Sequence, residues 1–447
     1  MRSQLRHWLH RRLRSRRFAL LDALLHTQSL DRQAVLQKQQ QDLAGIIAYA
    51  TQNTAYYAAR FAPLLRVPAA PDGLPLGTLP ILRKEDIRPH LDELLDRNAD
   101  RRQVKLGHTG GSTGNPLAFW YDDAKHELMR AGMCRSYMMS GWQPGEKILN
   151  FWGARQDTQI GGVFGAGWTD FIAAEKTIAA FECSEQQMHE WSSFVRGYRP
   201  VLLQGYATVL AEFARFIIDT RQPMPATLRG VYSTAEVLTG PQRELIERAF
   251  GCKVFNQYGC REIPNIACEC RHGRMHVFTD MVYLETPDVS ASDNMGQANS
   301  RLIVTSLTNR LMPFIRYDIG DSGRLLADEA NHCDCGSPFP LMEMGMCRNN
   351  DMILTPSGKH IHPSYFNRLL AHLPQIKQFQ CIQSAIDKLT LNIVASIALP
   401  AAVTADLRTR IARDIDEQMA LEINCVAEIP RSASGKHRYV ISHCSNT

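Results

Sequence analysis

From residue 184 to 256 the chain alternates strictly between amphipathic helical segments and short apolar runs. Helical spacing over 184–198, 207–219 and 241–250 is followed each time by an apolar run, at 201–204, 230–233 and 253–256. Short, continuously apolar runs between helices read as strands buried on both faces, the signature of a parallel sheet covered by helices. An earlier run, KILNFW at 147–152, follows a helical stretch over 122–140 and extends the pattern. These elements predict a layered α/β domain. Residues 275–326 instead carry strand and turn signals, predicting a β subdomain that closes it.

The flanks are different. A helix is predicted over 31–62, with Asp31 as N-cap and Val35, Leu36, Leu43, Ile46, Ile47 and Ala50 at helical spacing. Residues 64–82 are rich in proline and glycine and read as an extended connector. After a boundary at 345–351, a hairpin signal at 356–358, a helix at 363–370, strands at 376–384 and 389–398 and a helix at 405–419 make a small α+β domain. The expected organisation is therefore a basic N-terminal segment (1–29), a large domain (30–345) and a small domain (346–447).

Charge is concentrated at the start. Residues 1–17 hold seven arginines and no acid, and removing those seven from the net +5 leaves the remainder at −2. A near-neutral body argues against a nucleic-acid partner. Leu5, Trp8, Leu9 and Leu13 share one helical face among the arginines, a pattern that fits either a solvated helix or contact with an anionic membrane or a partner. A transit peptide is the other reading of an Arg-rich start, but the helical pattern runs on into 18–25. No apolar run reaches the ~18 residues of a spanning helix. Twelve cysteines without a secretory signal read as reduced thiols, and the expected location is the cytoplasm.

Five short motifs carry the chemistry. The first, GHTGGSTGNP at 107–116, interleaves Gly110, Gly111 and Gly114 with the hydroxyls of Thr109, Ser112 and Thr113, between two strand-like runs. Glycines let a backbone approach an anion closely, and hydroxyls donate to it, so the loop suits a polyphosphate; a plain turn is the alternative. It is not a Walker A loop, because Asn115-Pro116 stands where Lys-Ser/Thr would be required. The others are NQYGCRE (256–262), RYDIGD (316–321), CRNNDMILTPSGKHIHP (347–363) and PRSASGKHR (430–438).

In order and spacing these motifs resemble the adenylate-forming enzymes, most closely the phenylacetate–coenzyme A ligase family and its capsule-biosynthesis CapK-like branch, over about residues 30–447. The resemblance implies an α/β fold with a large multi-sheet adenylation domain and a small mobile α+β lid. It implies ATP, Mg2+ and coenzyme A as cofactors, with an aromatic carboxylic acid as substrate. The loop 109–114, Ala235, Glu236, Tyr258, Gly259, Asp321 and Arg348 would contact the nucleotide. Tyr258 would stack on adenine, Glu262 hold magnesium, Asp321 accept from the ribose hydroxyls and Lys436 stabilise charge at the α-phosphate. Asn349, Asn350 and Asp351 would form the hinge. Three positions depart from the pattern: Arg261 replaces a threonine, Asp318 stands in place of an arginine, and Cys347 replaces a glycine. Arg316 and Arg348 are further basic groups near the ribose or phosphates.

Cys268, Cys270, His272 and His276, with the later C-x-C pair Cys333 and Cys335, have the donor types of a closed zinc site. The expected set is Cys270, His276, Cys333 and Cys335, with Cys268 and His272 as substitutes and unpaired core thiols as the alternative. Such a zinc would be structural. The acceptor stays open between coenzyme A, a carrier protein and an amine of polysaccharide biosynthesis, and a non-catalytic scaffold is the third reading.

Overall fold

A computed structural model describes the chain except residues 1, 66–75, 110–116, 153–169, 181–183, 288–299, 328–330, 349–352, 359, 362–363, 371–372, 374, 431–437 and 445–447. It divides into two compact units. The first holds Met1–Glu285, Ile303–Ile319 and Leu325–Glu343; the second holds Thr286–Leu302, Gly320–Arg324 and Met344–Thr447.

The first unit opens with helices α1 (Arg2–Leu13), α2 (Ser15–Gln28), α3 (Arg32–Asn53), α4 (Ala55–Leu65) and the short α5 (Lys84–Ile87). The single helix expected over 31–62 breaks at Thr54, whose backbone is extended (φ −118°, ψ 148°). Its hydroxyl donates to the Ala50 carbonyl at 2.9 Å and accepts from the Tyr57 amide at 3.2 Å, so one residue ends α3 and caps α4. The basic N-terminal segment is not a free tail. Phe18, Leu21 and Leu24 of α2 are buried, and Arg17 makes two bonds to Glu127, at 2.9 and 2.7 Å.

A hairpin, β1 (Lys105–His108) and β2 (Ala118–Tyr121), precedes α6 (Asp123–Met138), which Asp122 caps by accepting from the Lys125 amide at 2.8 Å. The alternating stretch then folds as β3 (Ile148–Trp152), α7 (Asp170–Ala173), β4 (Glu175–Ala179), α8 (Glu185–Tyr198), β5 (Leu202–Tyr206), α9 (Ala207–Asp219), β6 (Gly230–Thr234), α10 (Gly240–Phe250) and β7 (Lys253–Tyr258). Capping boxes at Ser184 and Thr239 start α8 and α10, and left-handed Arg199 and Gly251 end them. Strands β4, β3, β5, β6 and β7 are parallel neighbours. Their helix-facing side chains build a core in which Phe151, Trp191, Phe213 and Phe250 meet.

The β subdomain joins this sheet directly. β8 (Ala267–Glu269) pairs antiparallel with β7, and β9 (Met275–Val277) with β8. With β10 (Val282–Glu285), β11 (Ser300–Ser306), β12 (Tyr317–Leu325) and β13 (Leu341–Arg348) the result is one eleven-stranded sheet, ordered β10-β11-β12-β13-β9-β8-β7-β6-β5-β3-β4. The parallel half and the expected β subdomain are thus one sheet, because β7 presents a second edge to β8. A buried ion pair ties α6 beneath it: Arg135 makes two bonds to Asp280, at 2.5 and 3.0 Å, between the rings of Phe278 and Phe339.

In the second unit, β14 (Ile353–Leu354) and β15 (His360–Ile361) form the expected hairpin, followed by α11 (Ser364–Leu370). A four-stranded sheet contains β16 (Ile376–Ala385), β17 (Lys388–Ala395), β18 (Ala420–Cys425) and β19 (Val440–Ser442), ordered β18-β17-β16-β19. The helix expected at 405–419 is α12 (Ala401–Asp414). It begins directly after Pro400, whose fixed φ suits a helix start, and ends before a turn at Asp416 leads into β18. Phe366, Leu391, Ile393, Leu407 and Ile411 are among this unit's core.

Candidate active site and metal centre

At the carboxyl end of β7 the chain leaves the parallel sheet through Tyr258 and turns sharply before β8. Ligands of α/β sheets bind outside the carboxyl ends of the strands. Gly259 is required there, since a Cβ would lie 2.8 Å from the Asn265 amide nitrogen. The turn is held to α6 at two places. The Asn265 amide group donates to the Met129 carbonyl at 2.9 Å, and Lys125 Nζ donates to the Glu262 carbonyl at 2.8 Å.

Glu262 is 3% exposed. Its Oε1 accepts from the Tyr317 hydroxyl at 2.9 Å, while Oε2 is buried without a hydrogen-bond partner among the described residues. A carboxylate oxygen kept from both water and protein donors is costly unless a cation satisfies it, so the donor set fits a hard metal such as magnesium. Lys125 had no motif to mark it; a lysine on an amphipathic helix reads as solvated. Its ammonium is instead packed against the Phe119 ring, 4.6 Å from the centroid. Burial drives its pKa down to about 8, against the attraction of Glu262.

Arg261, in the position expected to carry threonine, donates to the His108 carbonyl at 2.8 Å and so braces the strand entering the glycine-rich loop. Thr109 closes the loop's neck. Its amide donates to the Leu117 carbonyl and its hydroxyl accepts from the Leu117 amide, both at 2.9 Å. Gly110, Gly111, Ser112, Thr113 and Gly114 lie outside the described residues.

Elsewhere the expected contacts divide. Ala235 has a left-handed backbone (φ 68°), and the Glu236 carboxylate accepts from the Thr208 amide at 2.9 Å and its hydroxyl at 2.7 Å. That engages Glu236 at the N-terminus of α9. Arg316 is buried and bound to Glu285 at 3.1 Å and to the carbonyls of Gly77 (3.0 Å) and Leu79, so its guanidinium serves the fold rather than ribose or phosphate. Asp321 stands in strand β12 and not in a free turn. Arg348 ends β13, its side chain undescribed; Asn349, Asn350, Asp351 and Lys436 lie outside the described residues.

The cysteine–histidine set is gathered at one point. Ligand atoms of Cys270, His276, Cys333 and Cys335 all lie within 4.8 Å of one another. The Sγ atoms of Cys270 and Cys333 are 3.6 Å apart, and Cys335 Sγ is 3.2 Å from His276 Nε2. A tetrahedral zinc with its usual bond lengths separates two sulfurs by about 3.8 Å and a sulfur from a nitrogen by about 3.6 Å. The four residues are the donor set of such an ion, gathered at about that spacing. His276 Nδ1 lies 3.0 Å from the Phe339 carbonyl, an arrangement that turns Nε2 toward the cysteines. Backbone amides of His272 and Ser337 donate to the Cys270 and Cys335 sulfurs, each at 3.4 Å.

The thiol acidities reflect crowding of like groups. Burial opposes ionisation at Cys270, but hydrogen bonds from His276 and neighbouring amides bring it to about 6; Cys335 is pushed up to about 12 by burial and by the adjacent sulfurs. The substitutes stand apart: Cys268 Sγ contacts the Tyr232 hydroxyl at 3.0 Å, and His272 is exposed beside Arg271.

A parallel sheet extended by antiparallel strands, with a Tyr-Gly turn at the carboxyl end of β7 and a second, α+β unit, is a fold this chain shares with acyl-CoA ligases. Over 93% of its length and 91% of the other's it superposes on a 2-hydroxyisobutyryl-CoA ligase in the postadenylation state, with a TM-score of 0.69 and 19% identity. An anthranilate CoA ligase bound to anthranoyl-AMP matches at a TM-score of 0.53, covering 79% and 69%, with 16% identity.

In sequence the chain is a relative of the phenylacetate–coenzyme A ligases and of CapK. It is 25% identical to the phenylacetate-coenzyme A ligase of Thermus thermophilus over 93% of this chain and 98% of that one. It is 28% identical to Protein CapK of Staphylococcus aureus over 56% and 54%. Residues 353–443 match the CapK C-terminal domain.

Proposed function

We propose that the protein is an ATP-dependent, AMP-forming carboxylate ligase that acts on an aromatic acid and passes the acyl group to coenzyme A. Its relationship to phenylacetate-coenzyme A ligases along nearly the whole chain supports the reaction class. The buried Glu262 Oε2, without a hydrogen-bond partner among the described residues, is the observation in the site that carries it.

In the first half-reaction a carboxylate oxygen of the acid attacks the α-phosphorus of ATP; the α–β anhydride bond breaks and pyrophosphate leaves. In the second, a thiolate attacks the acyl carbonyl carbon and AMP leaves. The residues of this chain bind and orient. Tyr258 offers its ring to adenine, the loop 109–114 its amides and hydroxyls to phosphate, and Asp321 its carboxylate to the ribose. Lys125 and Asn265 hold the turn that aims Glu262. Glu262 would hold magnesium, which when bound neutralises charge on the phosphates. Lys436 would bring a positive charge to the α-phosphate as pyrophosphate departs, and Asn349–Asp351 with Arg348 would form the pivot that exchanges the two half-reactions. Cys270, His276, Cys333 and Cys335 would hold a structural zinc that joins the β8–β9 turn to the segment before β13. Use of ATP and coenzyme A, with free cysteines among the described residues, fits the cytoplasm.

The CapK matches favour a second acceptor reading, in which the acyl adenylate is passed to a carrier protein or to an amine in polysaccharide biosynthesis. Pyrophosphate release, measured without acceptor across aryl, hydroxy, fatty and amino acids, tests the first half-reaction. A responsive acid is then incubated with coenzyme A, a carrier protein or an amino sugar. ATP binding without pyrophosphate release for any acid would leave a non-catalytic scaffold.

A further inference from the structure

Helix α1 sits on the protein with its polar side inward. Arg6 and His10 are 7% and 2% exposed, while Leu5, Trp8 and Leu13 are 50%, 50% and 46% exposed. The seating is specific. Arg6 Nε donates to the Gly145 carbonyl at 2.7 Å, and His10 Nε2 lies 2.6 Å from the Ile172 carbonyl. A Cβ on Gly145 would come within 2.3 Å of the Ser3 carbonyl oxygen, so the helix backbone rests directly on that turn.

A helix held by hydrophobic packing buries its apolar stripe and shows its charges to water. Here the orientation is reversed, and the reversal has a clear geometry. At about 100° per residue, Trp8, Arg12, Leu5, Leu9, Arg2 and Leu13 fall in an arc of about 140° on the outward side. Arg2 and Arg12 are exposed within that arc, and Arg16 is exposed just beyond it on α2. The Arg12 guanidinium lies 4.4 Å from the centre of the Trp8 ring.

We propose that this outward side of α1 is a peripheral docking face for the headgroup layer of an anionic membrane. Two features of the face select that occupant. Its apolar side chains stand on the outward ridge of a single helix, the shape that inserts shallowly among lipids. Its flanking groups are arginines, whose apolar stems extend while the charges reach lipid phosphates, and a tryptophan, a side chain favoured at the membrane–water interface. The inward polar contacts hold α1 in place, so docking requires no rearrangement of the fold.

The test is co-sedimentation of the full chain with phosphatidylcholine vesicles, with and without phosphatidylglycerol, at low and high salt. The wild type should sediment with the anionic vesicles and be released by salt. Leu5→Ala/Trp8→Ala/Leu13→Ala should reduce partitioning at least about tenfold. Arg2→Gln/Arg12→Gln/Arg16→Gln should reduce it about a hundredfold at low salt. Both variants should keep the wild-type melting temperature, since none of these side chains is buried. No sedimentation of the wild type with anionic vesicles overturns the proposal. So does equal sedimentation of the apolar triple variant, or a change from dimer to monomer in that variant, which would make a second copy of the chain the occupant.

Discussion

Replacing Cys333 by serine tests the proposed zinc site most directly. The hydroxyl removes one of four donors whose atoms lie within 4.8 Å of one another, and it leaves an incomplete tetrahedron. If the loss weakens zinc by about a thousandfold, a protein saturated at a thousand times its dissociation constant loses about 4 kcal/mol of linked stability. At about 2.1 cal/mol/K of unfolding entropy per residue, a chain of 447 residues shifts by about 1 °C per kcal/mol, so the expected drop is about 4 °C. The assay pairs elemental analysis with thermal melts before and after chelation. Wild type should hold close to one zinc per chain and lose the same stability to a chelator; Cys333→Ser should start destabilised and respond little. Cys425→Ser, on an exposed cysteine of β18, should change neither zinc content nor melting. Because metal binding displaces thiol protons, zinc affinity should fall as the pH falls. A wild type that purifies without zinc, and whose melting is unmoved by added zinc, refutes the reasoning and leaves four thiol and imidazole groups that merely crowd.

Glu262→Gln keeps shape but removes the charge at the buried Oε2, and half-saturation by magnesium should rise roughly ten- to a hundredfold; an unchanged titration removes Glu262 from the metal. Lys436→Ala should cut pyrophosphate release by about 10²–10³, while supplied acyl adenylate is still converted; equal loss in both half-reactions contradicts the role. Arg135→Met strands the Asp280 carboxylate, 2% exposed, and should cost about 3–5 kcal/mol in denaturant unfolding. Adding Asp280→Leu should recover part of that loss, and failure to do so would assign it to packing against Phe278 and Phe339 rather than to charge.

Much of the fold was legible because its signals are local. The alternation over 184–256 specified three helices and three parallel strands to within a residue or two, since a buried strand must be apolar on both faces and two of the three helices carried their own caps, at Ser184 and Thr239. The five motifs, by their order and spacing, resembled the adenylate-forming class. Where a signal was absent, expectation slipped. Thr54 looks like one more helical residue until its hydroxyl bridges Ala50 and Tyr57, and β18 and β19 have too little apolar pattern to stand out before β16 and β17 supply their partners.

Tertiary structure alone decided which polar groups meet. Lys125 lies 137 residues before Glu262, and no periodicity tells that its ammonium reaches the Glu262 carbonyl. Arg316 read as a basic group near the ribose or phosphates, and Glu285 with two carbonyls encloses it; Glu236, expected among the nucleotide contacts, accepts from the amide and hydroxyl of Thr208. Six cysteines and histidines had the right donor types, and only the pairing of β9 with β13 singles out the four whose ligand atoms converge. The same holds for α1. Sequence determines that Leu5, Trp8, Leu9 and Leu13 share a face, since helical geometry is local. Which way that face turns depends on the carbonyls of Gly145 and Ile172, far along the chain, that accept Arg6 and His10 and leave the leucines outside.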